Sequence, residues 1–296
     1  ITIKEKYGLG FISSFKLALD KKVTDDQMVL KELLKPQFLV NSSIQNALPD
    51  LISLVRETIT QEVYDIDVSL YKQKVLILTI DDNNKSVIIN EKNIPDDNGI
   101  VFILLKIPTG VTLKYNSIHN SASSIVRTIM VDDSSTVQCD MHNNCDDSLS
   151  QTTIQLKGDN SNAAINHGGI VTGQSTIVHN ICHRGKETTS SIKSNIVVSD
   201  NGVLHYRPKI YIKNSAINAQ ANQTVGILKS MQGIAKINTI PQLEIKRNKV
   251  VCTHGASIQP INKQSLQYLQ TKGISANVAK DILINAHANR YIQERI

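Results

Sequence analysis

The residues best suited to chemistry are a cysteine and a histidine two positions apart, Cys252 and His254. They end a predicted strand, and in a strand residues i and i+2 point to the same face. Thiol and imidazole are both ligands for Fe, Zn or Cu, and an imidazolium would also lower the thiol pKa and favour a sulfur nucleophile. Two ligands do not complete a metal site, so the alternative is a buried cysteine beside a hydrogen-bonded histidine.

A second group of metal-ligand types has the spacing C-x-x-H-x-x-C and consists of Cys139, His142 and Cys145. Structural zinc sites usually pair two such half-sites, and no second half occurs in the sequence. An exposed polar turn is the alternative interpretation. The adjacent residues Cys182 and His183 are a weaker candidate of the same kind.

The sequence contains none of the motifs of a self-contained enzyme. There is no phosphate-binding loop, dinucleotide fingerprint, nucleophile elbow or zinc-protease motif. Four cysteines in 296 residues are too few for a disulfide framework, and no apolar run approaches the roughly 18 residues of a membrane span. We therefore expect a protein without a membrane partner that works together with other proteins.

The composition points to an aliphatic core and argues against nucleic acid. The chain has no Trp, only 4% aromatic residues and a net charge of +6. Lysines are scattered and much commoner than arginines, a pattern that AT-rich codons produce. A nucleic-acid interface would cluster basic residues and interleave them with aromatics, so we predict no nucleic-acid partner.

The elements that must position these residues fall into three segments, 1–67, 68–254 and 255–296. The first predicts helices: Thr24 and Gln27 form a capping box, Pro36 ends that run, and apolar residues recur at three and four positions over Ser43 to Thr60.

The middle segment predicts closely spaced, β-branched strands separated by Asn, Asp and Gly turns. A sandwich, a barrel or a solenoid would each fit, and no clean repeat period chooses among them. The predicted strands are Val75 to Ile80, Ser86 to Ile89, Ile100 to Leu105, Val111 to Tyr115, Ser124 to Val131, Thr152 to Leu156, Ser175 to His179, Ser190 to Val198, Lys209 to Ile212 and Leu243 to Ile245.

The last segment predicts two further helices. Asn262 caps the first, Gly273 supplies a left-handed stop, and Ser275 caps the second. The second helix has an apolar stripe that packs either on the β core or on a partner protein.

Residues 201–288 resemble a known family. The segments NGVLHYRPKIYIKNSAINAQANQTVGILKS and PQLEIKRNKVVCTHGASIQPINKQSLQYLQTKGISANVAKDILINAHA are similar to the C-terminal core of the SufB/SufD iron–sulfur cluster assembly family. The most specific part is PQLEI followed by C-x-H-G-A-[ST]. A weaker similarity around STIVHNICHRGKETTSS aligns His183 with a histidine of the family.

The resemblance implies a right-handed parallel β-helix flanked by helices. It also implies a non-catalytic scaffold that pairs with a SufB-like subunit and binds a SufC-like ATPase, which would hydrolyse the ATP. The SufD type fits better than the SufB type, because Gly255 and Thr224 stand where SufB proteins typically have a glutamate and a cysteine.

For the site, the resemblance implies that Cys252 and His254, and more weakly His183, handle iron or a nascent cluster at the SufB interface. The chain alone would hold no tight cofactor, and whether the complex binds a flavin stays open. We expect a cytoplasmic or organellar location. The residues implied to dock the ATPase are Leu266, Leu269, Val278, Ile282 and Leu283.

Two other readings stay open at this point. One is a stand-alone β-solenoid that binds or cleaves polysaccharide, although such sites need paired carboxylates and aromatic platforms, in which the chain is poor. The other is a divergent SufB-type scaffold in which Cys139, His142 and Cys145 are compensating ligands.

Overall fold

A computed structural model describes residues 53–72, 74–92, 100–120, 122–144, 148–199, 201–230 and 234–291, all within one compact unit. Strands dominate this unit, with a short 3-10 helix, Val68–Tyr71, and two α-helices, α1 (Lys263–Thr271) and α2 (Ala276–Ala288). The strands are β1 (Ser53–Ile59), β2 (Val63–Asp67), β3 (Lys74–Ile80), β4 (Ser86–Lys92), β5 (Ile100–Ile107), β6 (Thr112–His119), β7 (Ser124–Val131), β8 (Thr136–Asn143), β9 (Ser148–Leu156), β10 (Asn162–Val171), β11 (Gln174–His183), β12 (Thr189–Val198), β13 (Val203–Ile212), β14 (Gln220–Lys229), β15 (Lys236–Thr239), β16 (Gln242–Ile245) and β17 (Val251–Pro260).

The strands form two parallel sheets between which the chain alternates. The first sheet has the order β1-β3-β5-β7-β9-β11-β13-β15, with β16 also paired to β13, and the second has the order β17-β14-β12-β10-β8-β6-β4-β2. Each strand therefore pairs with the strand one coil before it. The result is a parallel β-solenoid of about seven coils, which selects the solenoid among the three predicted architectures.

The coils differ in length, which explains why the sequence shows no repeat. In the second sheet the strands from β2 to β14 and then β17 begin 23 to 31 residues apart. Four successive coils nevertheless share one feature, a corner residue with left-handed backbone: Ser134, Asn160, Glu187 and Asn218. The amide of each donates to a carbonyl in the next coil at 2.7–3.1 Å. The corners are thus repeated in space although the residue types are not.

Close stacking at these corners excludes side chains at particular positions. A Cβ on Gly158 would lie 2.0 Å from the amide nitrogen of Asp133, and a Cβ on Gly185 would lie 2.0 Å from the carbonyl oxygen of Gly158. The Asp133 carboxylate also accepts a hydrogen bond from the Asp159 amide at 2.6 Å. Glycine is required here because the backbone of the preceding coil occupies the space.

Inside the solenoid, aliphatic side chains stack in register from coil to coil. One such row runs along the first sheet through Leu105, Ile129, Ile154, Ile181 and Ile210, all buried. Each of the ten predicted strand segments overlaps a strand of the structure. The prediction of an aliphatic core is confirmed.

The predicted helix over Ser43 to Thr60 is wrong in its described part, because Ser53–Ile59 forms β1 and Val63–Asp67 forms β2. Val55 and Ile59 are four residues apart, and this spacing places side chains on one face of a strand as well as of a helix. Residues 1–52, including the predicted capping box at Thr24, lie outside the described residues.

The helical C-terminal segment begins later than predicted, at Lys263, because β17 continues through Pro260. Asn262 caps α1 by accepting the Gln264 amide at 2.8 Å, and Gly273 has φ +85°, as expected. Ser275 occupies the N-cap position of α2 without a side-chain hydrogen bond to the helix. Within the described residues, no helix is long and apolar enough to cross a membrane.

Candidate functional site

Cys252 and His254 lie on β17, the strand that ends the second sheet. β17 pairs with β14 along one edge, and no described strand pairs with its other edge. The register aligns Ala221 with Cys252 and Gln223 with His254. Because Ala221 and Gln223 are buried inside the solenoid, Cys252 and His254 occupy the inward positions of a coil that nothing described covers.

The two side chains share a face but differ in environment. Cys252 is half-buried and packs against the end of the aliphatic core, whereas His254 is exposed. Burial raises the pKa of the Cys252 thiol, which a backbone hydrogen bond at Ala221 only partly offsets. The thiol is therefore protonated at neutral pH, and the thiolate activated by a neighbouring imidazolium is not the form that this chain holds.

The described residues do not complete a metal site around this pair. Among them, no group of three or more His, Cys, Asp and Glu side chains is arranged to hold a metal ion. Iron bound by Cys252 and His254 would therefore need further ligands from outside the described residues. Large apolar side chains exposed in these last coils are those of Val251, Ile258, Ile245, Ile240 and Ile234.

The structure separates Cys139 from His142. Both lie on β8, so the predicted exposed turn is wrong, and their spacing of three puts them on opposite faces of the strand. Cys139 is fully buried and its thiol pKa is raised by burial, whereas the His142 Nε2 bonds outside to Asn144 Oδ1 at 2.8 Å. Two ligands on opposite faces cannot hold one ion, and Cys145 lies outside the described residues.

His183 is buried in β11, and adjacent Cys182 points to the opposite face. Its ring nitrogens bond to Thr188 Oγ1 and Ser190 Oγ, both at 2.7 Å, and burial lowers its pKa to about 4. Ser190 lies two strands from Cys252 in the same register row, about 10 Å at the usual strand spacing. His183 thus lies below the open end rather than beside Cys252 and His254.

Polar groups inside the solenoid were not predicted from the sequence. Arg127 and Glu91 form a buried ion pair between the two sheets, with Arg127 Nε 2.6 Å from Glu91 Oε1. Tyr115 and Ser117 also donate to Glu91, and Arg127 donates to Ser150 Oγ at 3.1 Å. Burial alone would raise the pKa of Glu91, but the charge of Arg127 together with the hydrogen bonds from Arg127, Ser117 and Tyr115 outweighs burial and keeps that pKa below its usual value.

A second buried polar group lies further along the interior. The rings of His167 and His179 are 4.8 Å apart between centroids, and His179 Nδ1 lies 3.1 Å from the Tyr206 hydroxyl, which also bonds to Ser194. Burial lowers the pKa of both histidines, that of His179 to about 3. Both rings are therefore neutral at physiological pH. The only sequence signal for these two histidines was the alternation of inward and outward residues in β10 and β11.

The two C-terminal helices contribute both an inner and an outer face. On the inner side, Leu283 and Ala288 of α2 pack against Val197 and Leu228 on the outer face of the second sheet. On the outer side, Tyr268, Val278 and Ile282 are exposed, as is common for a surface that another protein covers. A groove of about 400 Å³ between α1 and α2 is lined by Gln264, Ser265, Tyr268, Leu269, Ile282 and Leu283.

Of the predicted ATPase-docking residues, Leu266, Leu269 and Leu283 are half-buried, and Val278 and Ile282 are exposed. The two alternatives for the last helix are therefore not exclusive. One side packs on the β core, and the opposite side is free within the described residues.

Comparison with known proteins identifies the class to which this fold and site belong. A family model described as "SUF system FeS cluster assembly, SufBD core domain" matches residues 74–287. This range covers the solenoid from β3 and both C-terminal helices. The chain belongs to the SufBD core family of iron–sulfur cluster assembly proteins.

Individual relatives are similar over shorter stretches. The chain is 29% identical over 144 residues to iron–sulfur cluster assembly protein SufD of Escherichia coli (strain K12), a match that covers 46% of this chain and 33% of that protein. It is 27% identical over 113 residues (38% of this chain) to the SufBD family protein ycf24 of Galdieria sulphuraria, covering 50% of it. It is 25% identical over 112 residues (38% of this chain) to SufB of Bacillus subtilis (strain 168), covering 24%.

Proposed function

We propose that this chain is the SufD-type subunit of a SufB–SufC–SufD-type complex and acts as a scaffold rather than an enzyme. Its role in iron–sulfur cluster assembly follows from its family. In this proposal a SufB-like subunit joins at the open end of the solenoid, a SufC-like ATPase binds the C-terminal helices, and iron or a nascent cluster is transient cargo.

The observation that carries the proposal is the state of the last coil. β17 offers an unpaired backbone edge within the described residues, and strand edges of this kind recruit a strand from another chain. On the same strand, Cys252 and His254 present two ligands for iron where a second subunit would supply the others. An interface at this end would bury the thiol, the imidazole and the exposed Val251 and Ile258 together.

The choice of SufD over SufB rests on two neighbouring positions. Thr224 and Gly255, where SufB proteins typically have cysteine and glutamate, are register partners on β14 and β17, and both are exposed. Neither residue offers a thiolate or a carboxylate. This face of the last coil therefore lacks the side chains with which a SufB-type subunit would build a cluster.

The ATPase site in this proposal is the exposed side of α1 and α2. Tyr268, Val278 and Ile282 surround a groove that would accept an apolar anchor from the partner. Because α2 also packs on β10 and β12, a movement of the ATPase would be transmitted to the solenoid rather than to a loose tail.

The test is to co-express this chain with the SufB-like and SufC-like proteins of the same organism and to measure complex formation and cluster content. We expect a stable complex in which His254→Ala lowers cluster loading severalfold without loss of assembly. The matched control is His205→Ala, which replaces a half-exposed histidine on the outer face of β13. Normal loading in His254→Ala would refute the site, and failure to form any complex would refute the scaffold role.

Anaerobic reconstitution of the isolated chain distinguishes the two subunit types. A SufD-type chain, whose described residues form no group of three or more metal ligands, should retain little iron and sulfide and show little visible absorption. Stable cluster absorption in the chain alone would instead support the SufB-type alternative.

A further inference from the structure

The net charge of the protein is concentrated at one end of the solenoid rather than spread over its surface. Residues 53–202 carry 12 basic and 17 acidic side chains, a net charge of −5. Residues 203–249 carry eight basic side chains and one carboxylate, a net charge of +7, against +6 for the whole chain. The expectation of scattered lysines is therefore wrong for the last coils, and the solenoid is electrically asymmetric along its length.

The basic residues of the last coils share one face. Arg207 and Lys209 occupy outward positions of β13, and the register places Lys236 of β15 outward opposite Val203 and Lys246, directly after β16, outward near Lys213 on the same face. Arg207 and Lys236 are exposed, and neither forms an ion pair within the described residues. We call the set Arg207, Lys209, Lys213, Lys236 and Lys246 the basic face.

A single carboxylate lies within this face. Glu244 contacts Lys209 Nζ and Lys246 Nζ, both at 3.0 Å. It neutralises at most one charge, so the basic face keeps a strong positive potential. Surface fields of this kind accelerate the approach of an oppositely charged partner, and they act chiefly on the association rate rather than on dissociation.

The position of the basic face indicates which partner it meets. β15 and β16 end the first sheet as β17 ends the second, so the basic face flanks the open end at which we propose a subunit joins. Nucleic acid fits less well, because Glu244 would repel phosphates and the aromatic ring of the face, Tyr211, is half-buried with Lys209 5.7 Å from its centroid.

We propose that the basic face steers an acidic surface of the incoming subunit onto the open end of the solenoid. This inference rests on the proposed function, since it assumes that a SufB-like subunit joins there. It adds that the joining surface of that subunit is negatively charged, and that the rate of assembly depends on salt.

The test measures association and dissociation rates between this chain and the SufB-like subunit of the same organism at low and high salt. The variant Arg207→Glu/Lys236→Glu reverses two exposed charges that make no ion pair. The control Lys85→Glu/Lys106→Glu reverses two exposed lysines near the first coils and changes the net charge equally. At low salt we expect the first variant to associate about tenfold more slowly than wild type, with its dissociation rate changed less than about twofold. The association rate of the control should stay within about twofold of wild type. At high salt the difference in association rate between the two variants should vanish.

Other outcomes overturn the inference. Equal slowing in both variants would show that net charge alone matters, and unchanged association in the first would show that the basic face is not used; in either case the scaffold role would stand. Binding of a single-stranded DNA oligonucleotide that is lost only in Arg207→Glu/Lys236→Glu, with normal subunit association, would assign the face to nucleic acid instead. Absence of any complex would refute the proposed function and this inference with it.

Discussion

The middle and the last coils of the solenoid each place a metal-ligand residue in the same register row, but the residue is buried in the middle coil and exposed in the last. Cys139 and His254 both belong to the inward row that runs through Ile165, Ile192 and Gln223 along the second sheet. Cys139 is sealed between neighbouring coils, whereas His254 has a neighbour on one side only and is exposed. The exposure of a residue in this row thus depends on where the stack of coils ends, more than on which residue type it is.

The same comparison applies to charge. In the first coils, the buried Arg127 and Glu91 satisfy each other and the hydroxyl groups of Ser117 and Ser150. At the last coil, Cys252 is half-buried and His254 is exposed, and our proposal has a second subunit complete their ligand set. The interior therefore uses polar side chains to hold the sheets together, whereas the end leaves an imidazole accessible.

The largest difference between the middle and the last coils should be in the reactivity of their thiols. Cys252 is half-buried and Cys139 fully buried, so alkylation of Cys139 requires opening of the solenoid. In the native protein at pH 8 we expect iodoacetamide to modify Cys252 at least about a thousandfold faster than Cys139, measured by peptide mass spectrometry. Comparable rates in the folded protein would mean that the middle coils open as readily as the end.

Replacement of Arg127 should be the most destabilising single change of the set. Arg127→Met leaves Glu91 charged and without its partner in the interior, which should lower the free energy of unfolding by about 3–5 kcal/mol in urea denaturation. The double variant Glu91→Met/Arg127→Met should recover most of this loss, because it removes both charges. His254→Ala, at the exposed end, should change stability by less than about 0.5 kcal/mol. A mild effect of Arg127→Met would contradict a structural role for the ion pair.

Two glycine substitutions compare the stacked corners with the open end of the solenoid without any change of charge. Gly158→Ala would place a Cβ 2.0 Å from the Asp133 nitrogen, so the stacked corner must shift, at a cost of about 3 kcal/mol. A Cβ on Gly255 would meet no heavy atom within 4 Å, so Gly255→Ala should leave the stability nearly unchanged. Thermal denaturation of both variants measures this difference. Equal melting temperatures would show that the corners are not tightly packed.

The buried histidines predict a loss of stability in mild acid. His167, His179 and His183 all have folded-state pKa values below the unfolded value of 6.5, chiefly because burial disfavours the charged ring. The unfolded chain therefore binds protons first, so stability is full above pH 6.5 and falls as the pH decreases towards the folded-state values. Between pH 6.5 and pH 5 each histidine should contribute roughly 2 kcal/mol of this loss.

Denaturation midpoints from pH 7.5 to pH 5 measure the effect, and His179→Phe should reduce the slope by about a quarter, since His287 also has a lowered pKa. Gly255→Ala serves as the control, since it changes no titratable group and should leave the slope unchanged. A slope that is the same in His179→Phe and wild type would contradict the assignment.

The strand-rich middle of the fold could be predicted because segments such as Val75 to Ile80 are β-branched and apolar on both faces. β8 could not, because its outward residues, among them Asp140 and His142, are polar and resemble a turn. β10 was missed for a similar reason, since Gly168 and Gly169 interrupt the pattern, and β1 was taken for a helix on a spacing that both structures share.

For the site, the sequence placed Cys252 and His254 on one face of a strand, and that placement matches β17. Their exposure could not be predicted, because it depends on β17 being the last strand of the second sheet. The buried pairing of Glu91 with Arg127 spans 36 residues and two sheets, and no local pattern encodes it. The basic face was missed because its residues come from β13, β15 and β16, which only the coil register brings together.

The single neighbour of β17 also determines how this end behaves over time. Opening of β17 breaks its contacts with β14 but leaves the earlier coils intact, so this end frays without opening the middle coils. Its amides should exchange with solvent deuterium before those of middle strands such as β8 and β10, which are paired on both edges. A subunit that pairs with the free edge would act as the missing capping repeat, so recruiting it and making the Cys252 and His254 backbone rigid would be one and the same event.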